Sequence, residues 1–211
     1  MTFLPGTSIP DVEDRANALQ EMAETLRGIH AVPLNAEFSG LVRIDSASHY
    51  IKRITGIWAA QLAEARHDPL AGELQRLLDR WRDSRDAGIL TEPAPRIFAR
   101  RDSSLVNWLW DGTTSRCVDF EFAGWSDLAF ECADLVEHIS ARAIDDAVWD
   151  QIVTGLGVHD GPVRLRFAAA RRTCALRWLA VLWKQREQRR EEFQVQLDRV
   201  HKLHRDAGAA L

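Results

Sequence analysis

A short β-hairpin within an otherwise helical sequence constrains the fold of this chain more than any other feature. Residues 96–99 and 106–110 are rich in apolar and aromatic side chains, Asp111-Gly112 is a turn signal, and residues 115–120 have the composition of a returning strand. This hairpin is set in a helical body. The sequence therefore predicts an α+β fold, predominantly helical, with the hairpin at its centre.

Most of the remaining sequence has the periodicity of amphipathic helices. Apolar residues recur at three- and four-residue steps through much of the 211 residues. This pattern predicts helices over about 8–29, 46–66, 69–87, 127–142, 145–154 and 162–206. Residues 88–96 contain two prolines and a glycine and are predicted to form a connector.

The net charge of −4 is distributed unevenly along the chain. Residues 161–211 contain 12 Lys and Arg but 5 Asp and Glu, so they carry +7 and residues 1–160 carry −11. The basic residues alternate with apolar ones such as Leu165 and Phe167 at helical spacing. This pattern indicates the solvated side of an amphipathic helix and makes nucleic-acid binding the weaker interpretation.

The sequence carries no signal for membrane insertion or secretion. The apolar stretch 175–183 is interrupted by Arg177 and is shorter than the roughly 20 residues of a membrane span. The N-terminus lacks the basic and apolar regions of a signal peptide, and the three cysteines are an odd, widely spaced set. We therefore expect a reduced, cytoplasmic protein without a membrane span.

Antiparallel counting across the turn brings polar side chains to the open end of the hairpin. If Trp110 pairs with Cys117, then Trp108 lies opposite Asp119, and Asn107 lies one step from that aspartate. The loop that precedes the hairpin feeds the same end. The counting thus predicts that acidic and amide side chains from separate segments converge there.

These side chains have the chemistry that phosphoryl transfer requires. Asp102 on the preceding loop can accept the proton of an attacking hydroxyl, and Asn107 and Asp119 offer the hard oxygen ligands that Mg²⁺ prefers. A four-residue gap separates the first aspartate from the asparagine, and Asp-Phe follows after the hairpin. This order is that of the kinase catalytic loop H-R-D-x-x-x-x-N followed by D-F-G.

The segment "NWLWDGTTSRCVDFEFAGWSDLAFECADLVEHI" resembles the C-terminal lobe of the aminoglycoside phosphotransferase and choline kinase family. The family pattern is His-Gly-Asp-x-x-x-x-Asn, then Asp-Phe-Glu, then Gly-x-x-Asp-x-Ala-Phe-Asp-Leu-Ala. "ALQEMAETLRGIHAVPL" is similar to the first helix of that lobe, and "MTFLPG" to the hinge strand that joins the two lobes. The resemblance extends from residue 1 to about residue 140.

The resemblance implies a kinase-like C-terminal lobe over residues 9–211, a hinge-like segment over residues 1–8, and a missing N-terminal lobe. Asp102 is implied to be the catalytic base. The implied cofactors are Mg²⁺, held by Asn107 and Asp119, and ATP. Its adenine is implied to lie near two hinge residues, Phe3 and Leu4.

The sequence departs from the family pattern at two places. Arg100-Arg101 stands where the family has His-Gly, and Glu131 stands where it has Asp. Asp127 matches a family aspartate for which a structural role at a helix N-terminus is expected.

The implied activity is ATP-dependent transfer of phosphate to a hydroxyl group of a small molecule. The acidity of residues 1–160 favours a cationic acceptor. Because the N-terminal lobe normally clamps the nucleotide, we expect this chain alone to be nearly inactive. We also expect a separate lobe or a second copy to cover the hinge. A non-catalytic scaffold that retains only the fold is the alternative.

Overall fold

The chain is predominantly helical, as its periodicity predicts, and its few strands form two small sheets. The structure, a computed structural model, describes residues 4–34 and 46–209. Within these residues the α-helices are α1 (Arg15–His30), α2 (Ser46–Lys52), α3 (Ala59–Glu64), α4 (Pro69–Arg82), α5 (Asp86–Thr91), α6 (Leu128–Glu137), α7 (Asp146–Gly155), α8 (Gly161–Trp183) and α9 (Arg190–Ala209). The strands are β1 (Thr7–Ser8), β2 (Arg96–Ala99), β3 (Trp108–Trp110), β4 (Ser115–Cys117) and β5 (Gly124–Asp127).

Both sheets are antiparallel. One has the order β1-β3-β4 and contains the predicted hairpin, and the other pairs β2 with β5. The sequence pattern did not predict β5, whose four residues pair with β2 from Arg96–Asp127 to Ala99–Gly124. This pairing places the start of α6 beside Arg96, the first residue of β2.

Three predicted boundaries are wrong in detail. Residues 9–11 form a 3₁₀ turn, so α1 begins at Arg15, where Asp14 accepts a hydrogen bond from Ala16 N as its N-cap. The predicted connector begins too early, because α5 extends to Thr91. The long helix predicted over 162–206 is two helices, separated between Trp183 and Arg190.

The helix predicted over 46–66 is present in the structure, but it is not α-helical along its whole length. A π-helical segment, Arg53–Trp58, lies between α2 and α3. Its wider turn still buries Ile54 and Trp58 against the core. Segments of this kind are frequent at functional sites.

α8 lies at the centre of the molecule and joins two hydrophobic clusters. Its first half buries Phe167, Ala170 and Cys174 in a cluster that also contains residues of α1, α6 and α7. Its second half buries Leu176 and Leu179 in a cluster with residues of α4 and α9. A helix in this position is covered on most of its sides.

The arginines of α8 therefore do not form a solvated face, and that prediction is wrong. Arg166, Arg171 and Arg172 have side chains only 12%, 19% and 17% exposed. Each is paired with a carboxylate from earlier in the chain, and one of these contacts is the two-pronged Arg172–Asp86 pair at 2.6 and 2.7 Å. By contrast Leu165, expected on the apolar side, is 64% exposed.

The largest of these ion-pair groups is built around Glu137 at the end of α6. Its fully buried carboxylate is 2.7 Å from Arg171, 2.8 Å from Arg199 and 3.2 Å from Arg142. Asp146, the first residue of α7, bonds two of the same arginines at 2.6 and 3.1 Å. The group thereby fastens α6, α7, α8 and α9 to one another.

The three arginines determine the ionisation of Glu137. Burial alone would raise the pKa of this carboxyl group. The hydrogen bonds from Arg199 and the charges of Arg171 and Arg142 outweigh burial and hold the pKa below its ordinary value. The folded protein thus contains an ionised, buried carboxylate.

No helix in the described part of the chain is both long and apolar enough to cross a lipid bilayer.

Glu137→Gln should be strongly destabilising, because it leaves three buried cations without their counter-charge. We expect its free energy of unfolding at pH 7 to fall by about 3 kcal/mol. Glu187→Gln, at a side chain 71% exposed, should change stability by less than about 0.5 kcal/mol. Urea denaturation of both variants measures the difference.

The pH dependence of the free energy of unfolding provides the control for the stabilising role assigned to Glu137. Since the pKa of Glu137 is lower in the folded state, its stabilisation is complete above the ordinary value of 4.5 and is lost as the pH falls through the folded value. The deficit of Glu137→Gln should therefore shrink in acid. A variant as stable as the wild type at pH 7 would show that the ion-pair group does not stabilise the fold.

Candidate active site

The loop that carries Asp102 is positioned by β2 and α6. β2 ends at Ala99, where it pairs with Gly124, and the loop continues from there as residues 100–104. Asp127, the last residue of β5, caps α6 by accepting a hydrogen bond from Phe130 N at 3.0 Å, as expected for a structural role. The loop lies against α6 because two of its residues, Arg101 and Ser103, donate hydrogen bonds to side chains of that helix.

The carboxylate of Asp102 is held by its neighbours on both oxygens. Oδ1 accepts a hydrogen bond from Ser104 N at 3.0 Å, and Oδ2 accepts one from Asn107 Nδ2 at 2.5 Å. The side chain is 16% exposed, so one edge of it is accessible to solvent. The structure thus brings Asp102 and Asn107 into direct contact, and their proposed catalytic roles stay predictions.

The predicted register of the hairpin is wrong by two residues. Cys117 pairs with Trp108 rather than with Trp110, which pairs with Ser115. The turn is four residues long and is closed by the Asp111 carboxylate, which accepts hydrogen bonds from two backbone N–H groups at 2.9 and 3.0 Å. A slip of two residues preserves the face on which each side chain lies.

Asn107 consequently lies opposite Val118, whose N–H donates to its carbonyl oxygen at 3.0 Å, and not opposite Phe120. Asp119 follows directly and leaves the strand with a left-handed backbone, φ 63°. Its side chain is exposed. The opening between loop and hairpin therefore borders both Asn107 and Asp119, one residue apart across the ladder.

The pKa of the Cys117 thiol reflects the charges that surround the open end of the hairpin. This pKa is raised to about 12, chiefly by burial, and the charges of Asp102, Glu131 and Asp119 contribute to the rise. The positive charge of Arg100 acts in the opposite direction. Three carboxylates and one guanidinium thus surround the start of the segment that carries the Asp-Phe-Glu sequence.

Arg100 braces the loop from inside the protein. Its side chain is 1% exposed and its Nη1 lies 3.2 Å from the Asp102 carboxylate. The same guanidinium donates to the carbonyl oxygens of Ser104 and Val118 at 3.3 and 3.5 Å and lies over the Trp108 ring at 5.7 Å. It therefore joins the loop to the hairpin at the position where the family has a histidine.

Arg101 occupies the family's glycine position with a backbone that glycine favours. Its φ of 60° is in the left-handed region, which costs a residue with a Cβ roughly 1 kcal/mol. Its backbone N–H donates to Glu131 Oε1 at 3.2 Å. The loop thus keeps a glycine-like path in spite of the replacement.

α6 holds the loop on both sides of Asp102. Glu131 binds the backbone of the preceding residue, and Asp134, one turn further along, accepts a hydrogen bond from Ser103 Oγ at 2.7 Å. The Tyr50 hydroxyl donates to the same Asp134 carboxylate at 3.0 Å. Sequence reasoning missed this contact, although two acids one turn apart in a largely apolar helix are a readable signal.

Of the implied hinge residues, Phe3 lies outside the described residues and Leu4 is 36% exposed. Three further apolar side chains on the segments that border the opening are exposed: Val106 at 55%, Phe120 at 42% and Phe122 at 57%. These side chains provide an apolar border to a polar site.

No group of three or more His, Cys, Asp or Glu side chains in residues 4–34 and 46–209 is arranged to hold a metal ion. The candidate magnesium ligands are one amide and one carboxylate, Asn107 and Asp119. The sequence contains three lysines, Lys52, Lys184 and Lys202, and none of them lies on a strand.

A separate cavity of about 430 Å³ contains none of the residues of this loop or hairpin. It lies among α6, α7 and α9 and is bordered by Arg142, Asp146 and Arg199 of the Glu137 ion-pair group. These three side chains are already held in ion pairs of that group.

Glu131→Gln should make the stability less dependent on pH. Burial raises the pKa of Glu131 from 4.5 to about 7, although the hydrogen bond from Arg101 N lowers it. Between these values the folded state binds more protons than the unfolded state, so stability falls as the pH rises. The amide keeps an acceptor for Arg101 N without ionising, so this variant should gain on the order of 2 kcal/mol at pH 8.

Urea denaturation from pH 4 to pH 8 measures this gain, with Glu187→Gln as the exposed control. The free energies of unfolding of the wild type and Glu131→Gln should become equal near pH 4. A stability difference that does not change with pH would contradict the raised pKa.

The sequence matches the model of the phosphotransferase enzyme family over residues 1–168. A comparison with curated proteins finds no match. Among solved structures, the chain is similar to a choline/ethanolamine kinase family protein from Mesorhizobium loti, with 14% identity and a TM-score of 0.62 over 94% of this chain. It is also similar to an ethanolamine kinase from Plasmodium vivax, with 12% identity and a TM-score of 0.62 over 95% of this chain.

An aminoglycoside 2′-phosphotransferase in its GDP complex is a third similar structure, with 14% identity and a TM-score of 0.59 over 97% of this chain and 69% of the other. The chain spans 66% and 63% of the lengths of the first two structures. At these identities the structural likeness shows a kinase-like fold. Because the family model covers most of the sequence, the chain belongs to the phosphotransferase enzyme family.

Proposed function

We propose that this chain acts in the transfer of the γ-phosphate of ATP to a hydroxyl group of a small molecule, with Asp102 as the catalytic base. The observation that carries the proposal is the contact between Asp102 and Asn107, which sets a partly exposed carboxylate beside an amide at the opening of the hairpin. Membership of the phosphotransferase family supports the same chemistry.

Asp102 is oriented for proton transfer. Ser104 N and Asn107 Nδ2 occupy one lone pair on each carboxylate oxygen, and Arg100 supports it from the buried side. A carboxylate held in this way can accept a proton from an acceptor hydroxyl without first reorganising. Burial of the surrounding loop limits the orientations that the Asp102 side chain can adopt.

The donor atoms fit a magnesium ion. The Asn107 amide nitrogen donates a hydrogen bond to Asp102, which leaves its amide oxygen as a ligand, and Asp119 offers an exposed carboxylate one step away. Mg²⁺ keeps several waters and commonly takes only one or two protein ligands. When bound, the ion would neutralise the phosphate charge that develops during transfer.

The nucleotide would lie over this opening, with its adenine toward Phe3 and Leu4. The GDP complex of the aminoglycoside 2′-phosphotransferase supports nucleotide use in this fold. Kinase-type sites also use a strand-borne lysine on the phosphates, and none of the three lysines here has that position. We therefore expect slow transfer by this chain.

The position of the lysines also favours a second candidate, a non-catalytic scaffold that binds a partner protein. The exposed Val106, Phe120 and Phe122 side chains would then form its contact surface. The two candidates differ in whether Asp102 matters for any chemical step.

Transfer of labelled phosphate from ATP to hydroxyl compounds tests the proposal. We expect transfer that depends on Mg²⁺, at well below the 1–100 per second that is typical of kinases. Asp102→Asn should reduce it by at least about 100-fold, because the variant cannot accept the proton.

Asp150→Asn, at an aspartate 57% exposed on α7, is the matched control and should leave the rate unchanged. Transfer that persists in Asp102→Asn would contradict the assigned base. The complete lack of Mg²⁺-dependent transfer, with every hydroxyl compound tried, would favour the scaffold.

A further inference from the structure

We propose that the acceptor bound beside Asp102 carries an oxyanion, a carboxylate or phosphate group, held by a basic cluster formed by Lys52, Arg53 and Arg177. This inference rests on the proposed function for the role of Asp102 and names the class of acceptor. It assigns the opposite charge from the one that the net acidity of residues 1–160 favours.

Arg177 is tied to the Asp102 loop through two intervening side chains. Ser103 and Tyr50 both donate to the buried Asp134 carboxylate, at 2.7 and 3.0 Å. The Arg177 guanidinium lies over the ring of that tyrosine, with its Cζ 5.5 Å from the ring centroid. The contacts run from the loop through α6 and α2 to α8, so they connect the guanidinium to the loop that carries the candidate base.

The other two cations lie at the end of α2 and at the start of the π-helical segment that follows it. His49, Lys52 and Arg53 are spaced by three and four residues, which places them on one side of the helix. Both Lys52 and Arg53 are exposed, and Arg53 is the first residue of the π-helical segment. The cluster thus lines a surface that a ligand can reach.

These cations lack the carboxylate partners that other arginines have. Within the described residues, no ion pair involves Lys52, Arg53 or Arg177, although the α8 residues Arg166, Arg171 and Arg172 are each paired. Arg177 Nε is buried without a hydrogen-bond partner. The charge of the nearby Asp134 carboxylate, which raises the pKa of Arg177, offsets part of the cost of burying this guanidinium, and a bound anion would offset more of it.

The cluster creates a positive local field that contributes to lowering the pKa of the neighbouring His49. Burial lowers the pKa of His49, and the charges of Arg53, Arg177, Arg101 and Lys52 lower it further. Burial lowers the pKa of Arg177 and the positive charge of Arg53 lowers it further, whereas Tyr50 and Asp134 act in the opposite direction. These charges repel one another, and a bound oxyanion would relieve the repulsion.

Local charges outweigh the net charge in deciding which acceptor binds. Interactions between exposed charges are largely screened beyond about 8 Å at physiological salt. The acids that make residues 1–160 negative are spread over the whole chain, and many are paired with arginines. A carboxylate or phosphate matches the planar, forked donors of arginine, whereas a quaternary or primary amine would be repelled.

Titration with inorganic phosphate, followed by ¹H–¹⁵N NMR spectra of the full chain, tests the inference without ATP or turnover. We expect saturable shifts at Arg53 and Arg177. The double variant K52Q/R53Q changes two exposed residues and should fold normally. Its dissociation constant for phosphate should rise about tenfold, the loss expected for charge-assisted hydrogen bonds. Arg190→Gln, at an arginine 83% exposed on α9, should bind as the wild type does.

A matched set of hydroxyl compounds then separates the acceptor classes. Glycerate should displace phosphate from the cluster, whereas neutral glycerol and cationic choline should not. Equal phosphate affinity in K52Q/R53Q and wild type, or displacement by choline, would overturn the anion site whatever the activity. Phosphate binding at the cluster without any Asp102-dependent transfer would instead count against the proposed function alone.

Discussion

The fold depends on arginines of α8 and α9 that are paired with buried carboxylates from earlier in the chain. Glu137 shows this most clearly, because three arginines hold it ionised inside the protein. Positive side chains of residues 161–211 therefore form ion pairs with negative side chains that precede them in the chain. Removal of one partner leaves a buried charge unpaired, which makes each pair a strong constraint on helix position.

The site inherits its geometry from this arrangement. Glu137, the last residue of α6, fastens that end of the helix to its neighbours. Nearer the middle of α6, Glu131 and Asp134 hold the Asp102 loop. Arg100 connects the loop to the hairpin that carries Asn107. The loop is thus held from two directions, and Arg101 has the left-handed backbone that glycine favours. The same helix thus holds the ion-pair group at its last residue and the loop of the candidate site nearer its start.

Sequence reasoning predicted the elements better than the contacts between them. Periodicity and composition identified most helices and both hairpin strands, since each depends on residues close together in the chain. β5 was missed because its four residues are strand-forming only through their pairing with β2. The hairpin register was wrong because the hydrogen bonds of the Asp111 carboxylate, which close the turn, cannot be counted from spacing.

The burial of the α8 arginines escaped prediction for a related reason. Helical periodicity treats every arginine as a solvated residue, whereas partners such as Asp86 and Glu137 are distant in sequence. The contact between Asp102 and Asn107 could be predicted, because a short motif carries both residues. The influence of Arg53 on Arg177 could not, since the two belong to helices more than 100 residues apart.

Binding of nucleotide is the most direct measure of whether the loop and hairpin form a phosphotransfer site. Isothermal titration calorimetry with a non-hydrolysable ATP analogue should show binding that requires Mg²⁺. Asp119→Asn should weaken this binding by about tenfold or more, whereas Asp150→Asn should not. Nucleotide binding of equal strength without Mg²⁺, or unchanged in Asp119→Asn, would contradict the assignment of Asn107 and Asp119 as the metal ligands.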